Sequence, residues 1–324
     1  MHLKNNPNIA TTQIQFMEDN RFQDHTENIC FFYEMLKKLD GIPSAFVSNA
    51  DESGSQDWVN KIGGITYVPK GYENEKYPMK RTGARSTLMA CVNLDGTTLQ
   101  PYYIVSRETV DSELLDNGIT GQKIRLAHSD NGFINMNLFN DWFDEVYLKE
   151  IKARREKYNY YGYALLLLDG CTCHYTREVM QNAIKNKIII AIIPPHTSHL
   201  IQCLDVGVFG VHKRAMSMYS NDDDVTYQTN QILKNYNCWQ KVTTNSNIIS
   251  AFEAVGICTK SVIENDKRFN VMKVDIKSVR DKKTRNDLME HEFNCLRLPP
   301  LDTDMVNNDK KKTTMSIAYF NSTI

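Results

Sequence analysis

Two aspartates lie beside patterns of buried strands, where an ionised carboxylate is unusual. Asp169 directly follows the apolar run Ala164–Leu168, and Asp205 comes about ten residues after the two prolines that end a second run, Ile188–Ile193. Both runs are too short for an isolated helix and fit strands of a sheet that is covered on both faces. Because a charge there costs free energy unless a partner compensates it, the pattern favours a ligand or metal at the carboxyl edge of the sheet.

A third acid has a similar context earlier in the chain. Ala45–Val47 is predicted to be a short strand that runs into the turn-like stretch Ser48–Gly54, which contains Asp51. On neighbouring strands Asp51 and Asp169 would meet, with Asp205 approaching from the side. Three converging carboxylates cannot all stay ionised without cations between them. Mg²⁺, or Mn²⁺ in its place, takes oxygen ligands, and two ions about 3.5–4 Å apart would serve an in-line phosphoryl displacement. The alternative, that one or more of these acids only caps a turn or helix, stays open.

The elements around the acids alternate between helix and strand. Two β-rich runs flank the turn Asp95-Gly96, which predicts a hairpin. A further short strand is predicted over Lys123–His128, and another helix near Asp205. The order predicts an α/β fold with a mixed central sheet flanked by helices. Apolar residues at helical spacing predict helices over Asn28–Leu39 with Asn28 as N-cap, from Asn135 to about Lys157, and from about Thr176 to Lys185.

Composition excludes several classes of protein. The chain has 324 residues, of which 41% are apolar and 24% charged, with a net charge of −1. No apolar run approaches the ~20 residues of a membrane span, and the amino terminus lacks the apolar region of a signal peptide. Eight cysteines without an export signal indicate reduced thiols in an intracellular protein. Beyond residue 260 there are 12 Lys/Arg against 10 Asp/Glu, so this part as a whole is not a basic arm.

Longer motifs around the three acids resemble those of one family. Asn49–Gly54 reads NADESG, Leu166–His174 reads LLLDGCTCH, and Ile193–Asp205 reads IPPHTSHLIQCLD. In order and spacing they are similar to the NADETG, LLLDGxxxH and LPPxTSHxxQPLD motifs of pogo/Tigger/jerky-type transposases, which are DDE superfamily endonucleases. The resemblance covers roughly residues 40–260, and its further matches are Lys80–Ala90, Asp130–Phe133 and Ala251–Ile257.

The resemblance implies an RNase H-like fold that cleaves DNA and transfers strands with divalent metal. Asp51, Asp169 and Asp205 map onto the catalytic, metal-binding acids. It also implies DNA as partner, a nuclear location and a homodimer, with no small-molecule cofactor and no membrane. The helix-turn-helix domains that precede the first acid in the family are expected to be absent. We expect a lead-in with one helix over 1–40, the RNase H-like domain over 41–220, a helical extension over 221–260 and a polar, partly disordered tail over 261–324.

Two departures from the family motifs are visible. Cys203 stands where the family has proline before Leu-Asp, and we expect this change to loosen the loop that aims Asp205. Thr259 also stands at a family proline position.

Five basic or histidine residues are candidates for DNA contact. Lys80, Arg81 and Arg85 would contact the phosphate backbone, although a solvated hairpin edge explains them as well. His174 and His199 are expected to line the cleft and to contact phosphate or carboxylate.

Other polar residues of the motifs have simpler explanations. Glu52 is expected to be a solvated turn residue, and an auxiliary role in the site is the alternative. Thr197, Ser198 and Gln202 are expected to bond the loop that contains them. A zinc site built from Cys171, Cys173 and His174 is disfavoured, because C-x-C-H is not a standard zinc spacing.

Two other functions remain open from the sequence. One is a catalytically silent, domesticated remnant that binds DNA or protein. The other is an RNase H-like nuclease that acts on RNA or hybrids, since the fold alone does not determine the substrate.

Overall fold

The computed structural model describes residues 25–55, 86–219, 226–264 and 267–295. The first helix, α1 (Thr26–Lys37), buries Phe32, Tyr33 and Leu36 against the core. It begins two residues before the predicted start, so Asn28 lies inside the helix and is not its N-cap. The periodicity of the apolar residues therefore predicted the helix, whereas the capping residue was wrong.

A six-stranded mixed sheet forms the centre of the fold, as predicted. Its order is β4-β3-β2-β1-β5-β6. The pairs β1–β2 and β2–β3 are antiparallel, while β1–β5, β5–β6 and β3–β4 are parallel. The strands are Val47–Ser55 (β1), Ser86–Asn93 (β2), Tyr102–Val105 (β3), Arg125–His128 (β4), Ala164–Leu168 (β5) and Ile188–Ile192 (β6).

Helices follow the strands and supply most of the remaining core. The long helical stretch begins at Asn135, where the sequence predicted its start. Asn135 is its N-cap, and its side chain accepts a hydrogen bond from the N–H of Leu138. Within that stretch a π-helical segment, Phe143–Tyr147, joins two helices, and a second one, Leu204–Val208, carries Asp205. The helices after α1 are Glu113–Asp116 (α2), Met136–Trp142 (α3), Leu148–Tyr158 (α4), Arg177–Lys185 (α5), Ser198–Ile201 (α6), Phe209–Ser217 (α7), Tyr227–Val242 (α8), Asn245–Glu253 (α9) and Lys282–Cys295 (α10).

The strand that carries Asp51 differs from its prediction. Ser44–Phe46 forms a 3₁₀ turn, and the strand begins only at Val47. It then continues through the stretch predicted as a turn, because that stretch pairs with β2, with Asp51 opposite Ala90. Asp51 therefore lies inside a strand and not at its end.

The expected flexible tail is wrong for residues 261–264 and 267–295. Ile257–Glu264 (β7) and Lys267–Val274 (β8) form an antiparallel hairpin, which α10 follows. Met272 is buried, and its backbone exchanges hydrogen bonds of 2.8 and 3.0 Å with Ile42 and Gly41. Isolated apolar residues such as Met272 pack this region against the rest of the fold. The polar average composition of the segment does not reveal them. Residues 296–324 lie outside the described part of the chain.

A buried asparagine connects the sheet to the segment that carries Asp205. Asn49 is 0% exposed, and its Nδ2 donates to the carbonyl of Leu167 at 3.1 Å. Its Oδ1 accepts from the N–H of Leu204 at 3.1 Å and from the thiol of Cys203 at 3.1 Å. One side chain thereby links β1, β5 and the residue next to Asp205.

Cys203 keeps the backbone that a proline would impose. Its φ and ψ are −63° and −36°, and Gln202 before it is extended, with ψ of 114°. Proline requires this φ, and it favours an extended residue before it. The loosening expected from the loss of the family's proline therefore has no counterpart in this backbone, and the Cys203 thiol adds a contact to Asn49.

Replacing Asn49 should unfold the chain more readily. Asn49→Leu leaves the carbonyl of Leu167 and the N–H of Leu204 buried without partners, so we expect a loss of about 2–4 kcal/mol. Urea unfolding of the metal-free protein measures this change. Cys203→Pro is the control and should alter stability by less than about 1 kcal/mol, because its backbone already fits proline. A larger loss for Cys203→Pro than for Asn49→Leu would contradict this account.

Candidate active site

The sheet brings two of the predicted acids side by side. In the parallel pair β1–β5, Asn49 is opposite Leu167. Asp51 and Asp169 each lie two residues further along the chain, so they are level with each other, Asp51 inside β1 and Asp169 directly after the last residue of β5. Neighbouring strands therefore carry these two acids, as the sequence predicted.

Asp51 is buried among other carboxylates. The residue is only 7% exposed to solvent. Burial raises the pKa of Asp51 well above its usual range, and the nearby carboxylates of Asp205, Glu52 and, least of all, Asp169 raise it further. The side-chain amide of Gln202 opposes this rise. Asp205 is thus close enough to Asp51 to act on its charge, and the ionised form of Asp51 is costly without a cation.

Asp169 has the opposite electrostatic environment. Burial alone would raise its pKa, but the contacts with His174 and with the N–H of Cys171 outweigh burial and lower it. Oδ1 of Asp169 accepts from that N–H at 3.1 Å and lies 2.9 Å from Nδ1 of His174. The hydroxyl of Tyr175 donates to the main-chain carbonyl of Asp169. Asp169 is therefore held ionised and oriented.

His174 bridges two carboxylates inside the protein. It is 0% exposed, its ring packs 4.4 Å from that of Phe139, and its Nε2 lies 2.7 Å from Oε1 of Glu52. Burial would lower the pKa of His174, yet the contacts with Asp169, Cys173 and Glu52 raise it overall. The imidazolium therefore carries positive charge between two negative groups.

This bridge corrects two expectations. Glu52 is not a solvated turn residue, because it lies in β1 and contacts His174, and its side chain is only 18% exposed. His174 contacts carboxylates, as one of the two alternatives held, and its complete burial keeps it from DNA phosphate. Sequence reasoning favoured the solvated turn for Glu52 over an auxiliary role in the site, although its position next to Asp51 in the same motif was the available signal.

Two groups among the described residues bring three ligand atoms within 4.8 Å of one another. They are Glu52/Asp169/His174 and Cys171/Cys173/His174. Asp51 interacts electrostatically with Asp205 and with Asp169, but the three predicted acids do not form such a group in the described structure. In the cysteine group both nitrogens of His174 already face carboxylates.

Two polar residues of the loop before Asp205 have different surroundings. Thr197 bonds the loop itself, since its hydroxyl donates to the carbonyl of Pro194 at 2.6 Å. Gln202 does not follow the prediction, because it is 1% exposed, its side-chain amide forms no hydrogen bond with the described residues, and it lies close enough to Asp51 to lower the pKa of that carboxyl. Gln202 is therefore a second residue of the site that sequence reasoning had assigned to the loop.

The candidate DNA contacts lie in different places. Lys80, Arg81 and Arg85 fall outside the described residues. His199 is on α6, between β6 and Asp205, and it acts electrostatically on Asp281 at the start of α10.

Removing the charge of Asp51 and removing that of Asp169 should change the thermal stability of the chain in opposite directions. Because the pKa of Asp51 is raised in the folded chain, its ionisation at neutral pH opposes folding. Asp51→Asn should therefore raise the midpoint of thermal unfolding in EDTA, by about 2–4 °C for each kcal/mol gained. The gain should shrink as the pH falls through the raised pKa, where the parent's Asp51 becomes protonated.

Asp169→Asn is the matched control. Its pKa is lowered, so its ionised form stabilises the fold above its unfolded pKa of about 3.9 and this contribution is lost as the pH falls below that value. We expect a lower midpoint at neutral pH and a smaller difference below about pH 4. Equal shifts in both variants would contradict the different environments of the two acids.

Comparison with known proteins identifies the family. The family model described as DDE superfamily endonuclease matches residues 83–265, more than half of the chain. The match includes Asp169 and Asp205 and begins after Asp51.

Solved transposase structures have a similar fold. The chain is similar to the Mos1 mariner paired end complex with Mn, with 11% identity and a TM-score of 0.50, over 78% of this chain and 65% of that one. A pre-cleavage Mos1 transpososome gives 12% identity and a TM-score of 0.50, with the same coverage. The chain thus spans just under two thirds of these proteins. At this identity the similarity shows the fold, which is the predicted RNase H-like arrangement of a mixed sheet flanked by helices.

A curated relative has a different kind of name. The chain is 27% identical over 183 residues to the "MFS-type transporter clz9" of Cochliobolus lunatus, which covers 53% of this chain and 18% of that protein. Within the described residues, none of the helices has the length and apolar character needed to cross a bilayer. Because the match covers only 18% of that protein, its name as a transporter is not transferred to this chain. The family match and the fold agree with each other, and the chain belongs to the DDE superfamily endonucleases.

Proposed function

We propose that this chain is a transposase-derived, metal-dependent DNA endonuclease, which hydrolyses phosphodiester bonds and transfers strands. Asp51, Asp169 and Asp205 are its catalytic acids. The observation that carries the proposal is the register of β1 and β5, which places Asp51 level with Asp169, while Asp205 is close enough to raise the pKa of the buried Asp51 further. Strongly shifted carboxylates in such clusters favour function over stability.

The three acids fit Mg²⁺ or Mn²⁺ by their chemistry. All of them offer carboxylate oxygens, the ligands that these hard cations take, and cations would relieve the repulsion around Asp51. When bound, the metal would activate the attacking oxygen and stabilise the leaving one. The paired end complex of Mos1 contains Mn, which supports a divalent metal and a DNA substrate for this chain as well.

The residues of the chain itself prepare the site. Oδ1 of Asp169 is committed to His174 and to the N–H of Cys171, so Oδ2 is left for a ligand. Glu52 holds the other side of His174 and fixes the imidazole ring. Asn49 fixes the approach of the segment that bears Asp205. Carboxylate–imidazole contacts of this kind orient ligands in metal sites.

A nuclear location and a homodimer belong to the same proposal. A nuclear location would bring the acids to chromosomal DNA, and a homodimer would place one set of acids at each of two DNA ends.

Neutralising any one of the three acids should abolish nicking. With supercoiled plasmid and Mn²⁺, Asp51→Asn, Asp169→Asn and Asp205→Asn should each lower the rate about 100-fold or more, since several kcal/mol of transition-state stabilisation depend on the metal. Asp116→Asn, an exposed acid on α2, is the control and should nick like the parent. Nicking by Asp169→Asn at the parent's rate would refute the assignment.

Glu52→Gln should weaken metal binding without removing a predicted ligand. A negative charge beside the site is lost, and His174 is free to turn away from Asp169, so Mn²⁺ affinity should fall about 10–100-fold. Calorimetric titration measures it, with the exposed Glu156→Gln as control. An unchanged affinity would show that the bridge is only structural. A parent that binds no Mn²⁺ at millimolar concentration would favour the silent DNA- or protein-binding remnant.

A further inference from the structure

Four cations gather where the chain enters α10. Lys277, Arg280, Lys282 and Lys283 are all exposed, and together we call them the basic corner. Within the described residues none of the four forms an ion pair. Two nearby acids have other contacts: Asp275 pairs with Lys273 at 3.3 Å, and Asp281 accepts from the N–H of Thr284 at 2.8 Å.

The basic corner is fastened to the segment that carries Asp205. Nη1 of Arg280 donates to the carbonyl of Val206 at 2.9 Å, and its own N–H donates to the carbonyl of Ala254 at 2.8 Å. Asp281 is close enough to His199 on α6 for the histidine to help lower its pKa. The cations are thus held beside both elements that lead to the third acid.

Helix stability does not explain this placement of charge. Lys282 and Lys283 occupy the first turn of α10, where the helix dipole disfavours positive charge. The family match ends at residue 265, so the basic corner lies beyond the part of the chain that the family model describes. A cost in local stability without an ion-pair partner points to a partner outside the chain.

We propose that the basic corner binds the phosphate backbone of DNA next to the acids. It rests on the proposed endonuclease function and names the surface that holds its substrate. Exposed lysines neutralise phosphates without reading sequence, so the contact sets affinity and register and leaves the sequence of the DNA open. Arg280 fixes the position of the surface through Val206, and Lys282 and Lys283 are its phosphate ligands.

The test is the salt dependence of DNA binding, measured in EDTA so that no cleavage occurs. The probe is a fluorescent duplex of arbitrary sequence, and anisotropy gives the affinity over a range of salt concentrations. For the double variant Lys282→Gln/Lys283→Gln we expect the slope of log affinity against log salt to fall by about 1–2, because each lost phosphate contact contributes about 0.9. Affinity at moderate salt should fall about tenfold or more.

Lys152→Gln/Lys157→Gln on α4 is the matched control, with the same loss of charge. Both lysines are exposed, and the end of α4 leads to the amino end of β5, opposite the end where Asp169 lies. The slope of log affinity against log salt for this control variant should equal that of the parent. Equal slopes in all three proteins, an equal fall in both variants, or no binding by the parent would each overturn the proposal.

A nicking assay separates this result from the proposed function. If the parent nicks plasmid but the slope is insensitive to Lys282 and Lys283, the endonuclease stands and the basic corner is wrong. If the slope changes as expected but neither Mg²⁺ nor Mn²⁺ supports nicking, the DNA surface stands and the catalytic proposal fails.

Discussion

Mutual repulsion among buried carboxylates is the constraint on which the site depends. Asp51 loses its hydration inside β1 and faces Asp205, Glu52 and Asp169, so its charged form is disfavoured. Water cannot screen these charges as it would at the surface. A fold that keeps such an arrangement needs positive charge from somewhere, and the fixed imidazolium of His174 supplies only part of it.

The position of His174 makes the acids unequal. By touching Asp169 and Glu52 it lowers the pKa of Asp169, whereas among the described residues no cation is recorded as acting on Asp51, and its pKa rises. The ionised form is therefore favoured at Asp169, and it is disfavoured at Asp51. Under the proposed function, this difference would couple the charge of the site to the binding of metal.

The rest of the fold keeps these side chains in register. The parallel pairing of β1 with β5 places Asp51 and Asp169 level with each other, and Asn49 connects both strands to the main chain before Asp205. The hairpin β7–β8 and α10 then cover α1 and bring Arg280 to Val206. Residues far apart in the sequence thus converge beside the neighbouring strands β1 and β5.

By itself, the sequence determined the elements and the acids they carry. Short apolar runs predicted β5 and β6, helical spacing predicted α1 and the helix from Asn135, and three motifs marked Asp51, Asp169 and Asp205. These features depend on neighbours within a few residues, so local patterns are sufficient to predict them. Family motifs extended the prediction to the RNase H-like fold.

Only the tertiary structure decided the contacts that connect distant segments. Glu52 was expected in solvent because nothing near it in sequence pairs with it, yet His174 lies 122 residues away and contacts it. The hairpin after residue 257 was missed because its few apolar anchors find their partners near residue 42. Long-range side-chain pairing depends on how strands are ordered in the sheet, and spacing along the chain does not contain that information.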